Sequence, residues 1–285
     1  PQEAQEERGG PGPGMKTVFF GSPAAALPSL EALLAAGHTV ELVVTQPDRP
    51  AGRGRDLRSP AVKCAAEQLG LPLAQPDRVG DPQCLASLRD ARPDLAVVVA
   101  FGQFLPRVVR EVPPLGCINL HASLLPKFRG AAPIHRALIA GETETGVTVM
   151  RVEGQMDAGP ILLQRALPIL PADDAGSLHD RLAALGAEAL SDALRILAAG
   201  EGRWVPQDPA KVSLAPKLGD ADFRVDLAGD PVSLVNRIRG LSPAPGAYLT
   251  LAGDKRLRLL KAEARQASGP PGTILAIEET GVVVA

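Results

Sequence analysis

Cysteine is scarce: Cys64, Cys84 and Cys117 are the only three in 285 residues. They are odd in number, widely spaced and form no C-x-x-C pair, which argues against a disulfide framework and against a structural zinc site. A reducing, cytoplasmic compartment is the expectation. No apolar run approaches the roughly 20 residues that a bilayer-spanning helix needs, and no charged segment leads into an apolar one near the start. No membrane partner is therefore expected. Aromatic residues make up 3% of the chain, with one Trp and one Tyr, so the core must be built from Ala, Leu and Val. There is no G-x-G-x-x-G, and Gly21-Ser22-Pro23 alone is not a dinucleotide fingerprint. A net charge of −2 gives no general attraction for nucleic acid, which would have to come from local basic patches.

What is present is an ordinary globular composition, 45% apolar and 22% charged, in a chain long enough for two domains. Residues 1–14 are polar and rich in Gly and Pro, and read as a disordered extension or a remnant ahead of the fold. From Met15 the pattern is β-α-β: an apolar run at 16–20, a leucine stripe stopped by Gly37, and a second apolar run at 40–45. Unbroken apolar strands are usually buried on both faces, as in a parallel sheet covered by helices. The pattern repeats through strands at 95–100, 117–120, 146–152 and 161–167. A long helix over 177–199 closes this part, with Ser177 and Asp180 as a capping box and Gly200 as its stop.

The fold class expected is α/β: a Rossmann-like, mostly parallel sheet flanked by helices, followed by a small C-terminal β-barrel, OB-like domain. The expected boundaries are 15–200 for the first domain, 201–229 for a linker and 230–285 for the second. Short strands with turn signals every 8–12 residues suggest the barrel. Because the last strand runs to Ala285, the natural protein is expected to continue beyond it.

In Gly116-Cys117-Ile118-Asn119-Leu120-His121, alternate side chains face opposite ways. Asn119 and His121 therefore share a face, and Ile118 and Leu120 share the packed one. In an open parallel sheet, ligands sit beyond the carboxyl ends of the strands, where His121 lies. Fixed donors there could stabilise the oxyanion of an acyl or formyl transfer, worth about 3–4 kcal/mol for one donor. Asp157, between Gly154 and Gly159, is the candidate carboxylate to hold the imidazole and assist proton removal from an attacking amine. Without further context an Asn and a His on one strand face are more often a satisfied polar pair than a catalytic one. Cys117, on the same face, could be a nucleophile, a metal ligand with His121 and His135, or a buried inert thiol. The last is favoured, and no metal is expected, since no ligand spacing supports one. His135 and His179 fall in helices and read as structural or surface residues.

Residues 121–134, HASLLPKFRGAAPI, with Asn119 two positions earlier and the M-D-A-G turn at 156–159, resemble the signature of the 10-formyltetrahydrofolate-dependent formyltransferases. Within that family, TQPDRPAGRGR at 45–55 is similar to a loop of the members that act on methionyl-tRNA. The resemblance runs from Met15 to the end. It implies Asn119, His121 and Asp157 as the catalytic trio, and Ser123, Leu124, Leu125 and Pro126 as a folate-binding loop. It further implies that Phe101, Gly102 and Gln103 line the pterin pocket, and that a barrel-like C-terminal domain helps hold tRNA. The implied reaction moves the formyl group of 10-formyltetrahydrofolate to the amino group of initiator methionyl-tRNA, with no covalent enzyme intermediate, and the expected state is a monomer. One departure is Ser22, where the family pattern has Thr.

Two basic stretches then acquire a meaning. Arg49, Arg53, Arg55, Arg58 and Lys63 against Asp48 and Asp56 give five minus two, or +3, over 48–63. Seven basic against two acidic residues give +5 over 237–265. Arg49, Arg53, Arg55 and Arg58 are the expected tRNA contacts, with Arg53 foremost; a merely solvated loop is the plain alternative, and the second patch is the weaker of the two. Three other functions compete: formylation of an amino sugar nucleotide or another small amine, binding without turnover, and hydrolysis of the formyl donor.

Overall fold

The computed structural model describes residues 14–51 and 56–285. The expected N-terminal extension, apart from Gly14, and two of the expected tRNA contacts, Arg53 and Arg55, lie outside them. The described elements begin with β1 (Lys16–Gly21), α1 (Leu27–Ala35), β2 (Thr39–Val44), β3 (Arg49–Ala51), β4 (Asp56–Arg58), α2 (Ala61–Gln68) and β5 (Leu73–Ala74). They continue with α3 (Pro82–Asp90), β6 (Leu95–Val99), α4 (Arg107–Arg110), β7 (Cys117–His121), α5 (Pro133–Ile139), β8 (Glu144–Arg151), β9 (Ile161–Pro168) and α6 (Ala175–Ala198). The chain ends with α7 (Asp220–Phe223), α8 (Pro231–Leu241), β10 (Ala247–Leu251), β11 (Lys255–Leu259), β12 (Ile274–Glu278) and β13 (Gly281–Val284).

Seven strands form one sheet in the order β5-β2-β1-β6-β7-β8-β9. The pairs β1/β2, β1/β6, β2/β5 and β6/β7 are parallel, and β7/β8 is antiparallel. All five residues of β6 are buried, which is why that strand reads as an uninterrupted apolar run rather than an alternating one. On one face Val18, Phe20, Leu42, Val44, Ala96, Val98 and Cys117 form a core with Cys84 and Leu88 of α3 and Val109 of α4. On the other, Leu120 meets α6 at Gly186, where an added methyl would stand 2.6 Å from Leu120 Cδ2. Each fully buried large apolar side chain contributes about 1.5–3 kcal/mol.

The order of the strands places the site. From β1 the chain moves outward to β2 and β5, then returns to β6 on the other side of β1. The carboxyl ends of β1 and β6 thus flank the switch point, where a crevice forms in such sheets.

Contacts divide the chain into two compact units. The first takes the chain through His121 with Val147–Arg165 and Ala183–Ala210; the second takes Ala122–Gly146, Ala166–Leu182 and Lys211–Ala285. In the second, α5 packs on α8, and Gly240 permits the approach, since a methyl there would lie 2.8 Å from Ile139 Cγ1. His135 Nδ1 donates to Gly240 O at 2.7 Å, the structural role expected of that histidine. Arg136 grips Asp222 with two bonds of 2.6 and 2.8 Å and holds its carboxyl below the usual range.

Three details differ from the sequence reading. The cap of α6 lies three residues earlier than the Ser177/Asp180 pair: Ser177 N donates to Asp174 Oδ1 at 2.9 Å and Asp174 N donates to Ser177 Oγ at 3.1 Å, the reciprocal box of an N-cap aspartate. The segment 48–63, read as a loop, contains the antiparallel hairpin β3/β4. The four C-terminal strands pair two by two, as hairpins β10/β11 and β12/β13, with no closed barrel among the described residues.

Candidate active site

β7 delivers two polar side chains to its carboxyl end. Parallel pairing to β6 and antiparallel pairing to β8 fix its register, with Asn119 opposite Met150 and His121 opposite Thr148. Residues two apart on a strand are about 6.5 Å apart along one face, so an amide and an imidazole stand side by side. Asn119 is half-buried and His121 buried.

Asp157 reaches this place from the loop between β8 and β9. Its Oδ2 lies 3.7 Å from His121 Nδ1, and its side chain is 14% exposed against 7% for the histidine. That separation is an ion-pair distance beyond an ordinary hydrogen bond, so a shift of about half an ångström decides whether the two groups engage. The turn is tight. Asp157 itself has φ +51, a left-handed conformation that costs a non-glycine residue on the order of 1 kcal/mol or more. Gly159 is required by close approach, since a methyl there would lie 1.9 Å from the carbonyl oxygen of Arg151. It is the aspartate, not one of the glycines flanking it in the sequence, that takes the left-handed backbone. Gln207, which sequence reasoning passed over, donates from Nε2 to the carbonyls of Asp157 and Gly159, each at 2.8 Å.

Cys117 shares the face of Asn119 and His121 but lies deeper, 2% exposed. Burial pushes its thiol up to about 12, so it is not a nucleophile at neutral pH.

At the switch point Ser22 Oγ donates to Phe101 O at 3.2 Å and accepts from Gln46 N at 3.2 Å and from Thr45 Oγ1 at 3.3 Å. A hydroxyl is what this junction uses, so Ser in place of Thr keeps the chemistry. Phe101 is buried, with its ring edge-on to Phe20 at 5.3 Å. Gly102 turns the chain at φ +85. Gln103 accepts from Val79 N at 2.9 Å and donates to Pro76 O at 3.2 Å, closing the neighbouring turn. Phe101 O also accepts from Gln46 Nε2 at 3.1 Å, so along 101–103 the Phe101 carbonyl and the Gln103 side chain are both engaged within the protein.

The segment 123–126 belongs to the second unit. Ser123 is fully buried and donates to Lys127 O at 2.6 Å, and Leu125 is buried. Residues 213–215, within the span expected to be a linker, run along the adjoining chain: Arg129 N donates to Ser213 O at 2.9 Å and Ala215 N to Arg129 O at 2.7 Å. Gly130, at φ +123, makes room for the carbonyl of Ala215, 2.7 Å from where a methyl would stand.

In hairpin β3/β4 the exposed Arg49 and Arg58 stand directly opposite each other. Like charges in that position oppose pairing, so the hairpin has to be secured otherwise. Asp48 secures its base, accepting from Lys63 at 2.6 Å, Gln75 at 2.9 Å and Ser59 at 3.1 Å. In the second basic stretch several cations are already engaged: Arg256 lies 4.4 Å over the Tyr248 ring and Arg265 pairs with Glu278 at 2.9 Å.

An amide and an imidazole thus stand at the carboxyl end of β7 beside the switch point, with a loop carboxylate 3.7 Å from the imidazole. Residues 15–194 match the formyl transferase family model and residues 217–285 that of the formyl transferase C-terminal domain; the chain belongs to the formyl transferase family. It is 47% identical over 271 residues to the methionyl-tRNA formyltransferase of Geobacter metallireducens, a match that covers 95% of this chain and 87% of that one. To the methionyl-tRNA formyltransferase of Moorella thermoacetica it is 47% identical over 272 residues, again 95% and 87%. Among solved structures, HypX from Aquifex aeolicus in complex with tetrahydrofolic acid has a similar fold, with a TM-score of 0.67, 20% identity, and 95% of this chain matched to 42% of that one. A sugar N-formyltransferase from a Shewanella species does so with a TM-score of 0.67, 19% identity, and 88% and 99% covered.

Proposed function

We propose that this enzyme transfers the formyl group of 10-formyltetrahydrofolate to the amino group of initiator methionyl-tRNA. The observation that carries this reading is the His121–Asp157 couple, 3.7 Å apart, with His121 on the strand that also presents Asn119. The amine attacks the formyl carbon, and the carbonyl electron pair moves onto oxygen. Asn119 and the His121 imidazole donate to that oxygen as charge develops. Asp157, 3.7 Å from Nδ1, orients the His121 ring and supports removal of a proton from the attacking nitrogen. When the oxyanion collapses, the bond from carbon to the folate nitrogen breaks, that nitrogen takes up the proton the amine has given off, and a formamide and tetrahydrofolate leave. No covalent formyl-enzyme forms.

In this proposal residues 15–200 perform the chemistry, 201–229 link, and 230–285 help hold tRNA; the separate N- and C-terminal family matches support that division. Ser123, Leu124, Leu125 and Pro126 and the backbone at Phe101, Gly102 and Gln103 hold the folate. Arg49, Arg53, Arg55 and Arg58 hold phosphates near the acceptor end. The high identity to relatives named methionyl-tRNA formyltransferase supports the choice of acceptor over an amino sugar. The protein acts as a cytoplasmic monomer without a metal.

The test is a panel of acceptors with 10-formyltetrahydrofolate as donor. Methionyl-tRNA is formylated while free formate stays at background. An enzyme that ignored charged tRNA and formylated an amino sugar nucleotide would overturn the choice of acceptor, and formate release unaffected by tRNA would make it a hydrolase.

A further inference from the structure

The loop 152–160 carries Asp157 on a strained turn with no helix or strand of its own. Its two ends are Arg151, which closes β8, and Ile161, which opens β9. A short segment from beyond the long helix α6 fastens it at three successive points. Trp204 lies under the Arg151 guanidinium, 4.5 Å from ring centroid to Cζ, a cation–π contact. Val205 and Ile161 exchange two backbone hydrogen bonds of 2.8 Å. Gln207 Nε2 then donates to Asp157 O and Gly159 O, both at 2.8 Å. Residues 204 and 205 thus hold the ends of the loop, and residue 207 holds its tip.

We infer that Gln207 is a positioning residue for Asp157, and that Trp204–Gln207 forms a staple that sets the distance between the Asp157 carboxylate and His121. The inference rests on the formyl-transfer reading. The geometry explains why a glutamine is suited to this point. One amide group satisfies two carbonyls two residues apart, which a left-handed residue turns towards the same side. A hydroxyl has one hydrogen to give, and a carboxylate would face both carbonyls with repulsion. Gln207 holds the backbone carbonyl of residue 157, so its effect on chemistry passes through the position of the turn. Misplacement by about 1 Å can lower a rate by about 100-fold.

The test compares wild type with Gln207→Met, which keeps length and volume but donates nothing, and with Gln207→Glu. Single-turnover transfer to methionyl-tRNA is expected to fall about 10- to 100-fold in both, by analogy with lost outer-shell support. KM for either substrate should change less than about threefold, and amide exchange should accelerate in 152–160 while β7 stays protected. In an Asp157→Asn background the Gln207→Met change should cost less than about threefold, because the group it positions is already disabled. A wild-type rate in Gln207→Met would overturn the inference, and so would an equal loss in both backgrounds, which would mark general packing. If Gln207→Met does not fold, Gln207→Glu and the exchange of the 152–160 amides decide by the same criteria. An inactive wild-type enzyme would instead remove the formyl-transfer reading.

Discussion

At the scale of single residues, the three cysteines separate by environment. Cys64 is exposed, whereas Cys84 and Cys117 are buried, and burial raises both buried thiols, Cys117 to about 12. A raised thiol stays protonated and unreactive at pH 8. Native protein treated with iodoacetamide at that pH should therefore carry one label, on Cys64, and three after unfolding, as read by mass spectrometry. Rapid labelling of Cys117 would contradict its inert role and reopen the question of a nucleophile. Asn119 makes a different prediction. Removing its amide in Asn119→Ala should lower kcat by about 100- to 1,000-fold, the usual effect of losing one oxyanion donor, with the thermal midpoint little changed because the side chain is half-buried. The pairing of Asn119 with His121 was legible from strand alternation alone. Gln207 was not, because nothing in a single sequence links it to a turn 50 residues earlier.

At the scale of elements, the β8–β9 loop depends on Gly159. Gly159→Ala would place a methyl 1.9 Å from the Arg151 carbonyl, and a backbone oxygen cannot give way cheaply. The loop must move, so this variant should lose activity about 100-fold while its hydrogen exchange increases over 152–160. Hairpin β3/β4 offers a pH test. The Lys63 ammonium, followed by the Gln75 amide, holds the Asp48 carboxyl below its ordinary range. A depressed carboxyl contributes stability that is fully present above about pH 4, its unfolded value, and that is lost as pH falls through the lower folded value. Proteolysis within 48–59 should be faster in Asp48→Asn than in wild type at pH 7, and the difference should vanish near the acid limit. The apolar strands and the long helix were readable because their periodicity is strong. The hairpin was not, since Gly, Pro and Arg carry no strand signal and the anchoring residues come from beyond it. The α6 cap shows the same limit, because Asp174 and Ser177 differ from neighbouring Asp and Ser only in the hydrogen bonds they make.

At the scale of the whole molecule, a chain of net charge −2 is proposed to hold a polyanion through one basic hairpin. Each phosphate contact given up should flatten the dependence of log(kcat/KM) for tRNA on log(salt) by roughly one unit. Arg49→Ala, Arg53→Ala and Arg58→Ala should show this while KM for the folate stays nearly constant; a selective loss of folate affinity would misplace the hairpin. The order of the sheet was legible as a class, because buried apolar strands alternating with helices admit few arrangements. That four C-terminal strands pair as two hairpins was not, since strand patterns reveal faces and not partners. The central proposition is that residues 119, 121 and 157 act on one carbon, and single-turnover formylation of methionyl-tRNA by Asp157→Asn tests it most directly. The account predicts a rate lower by about 100- to 10,000-fold with tRNA and folate binding retained; an undiminished rate would contradict it.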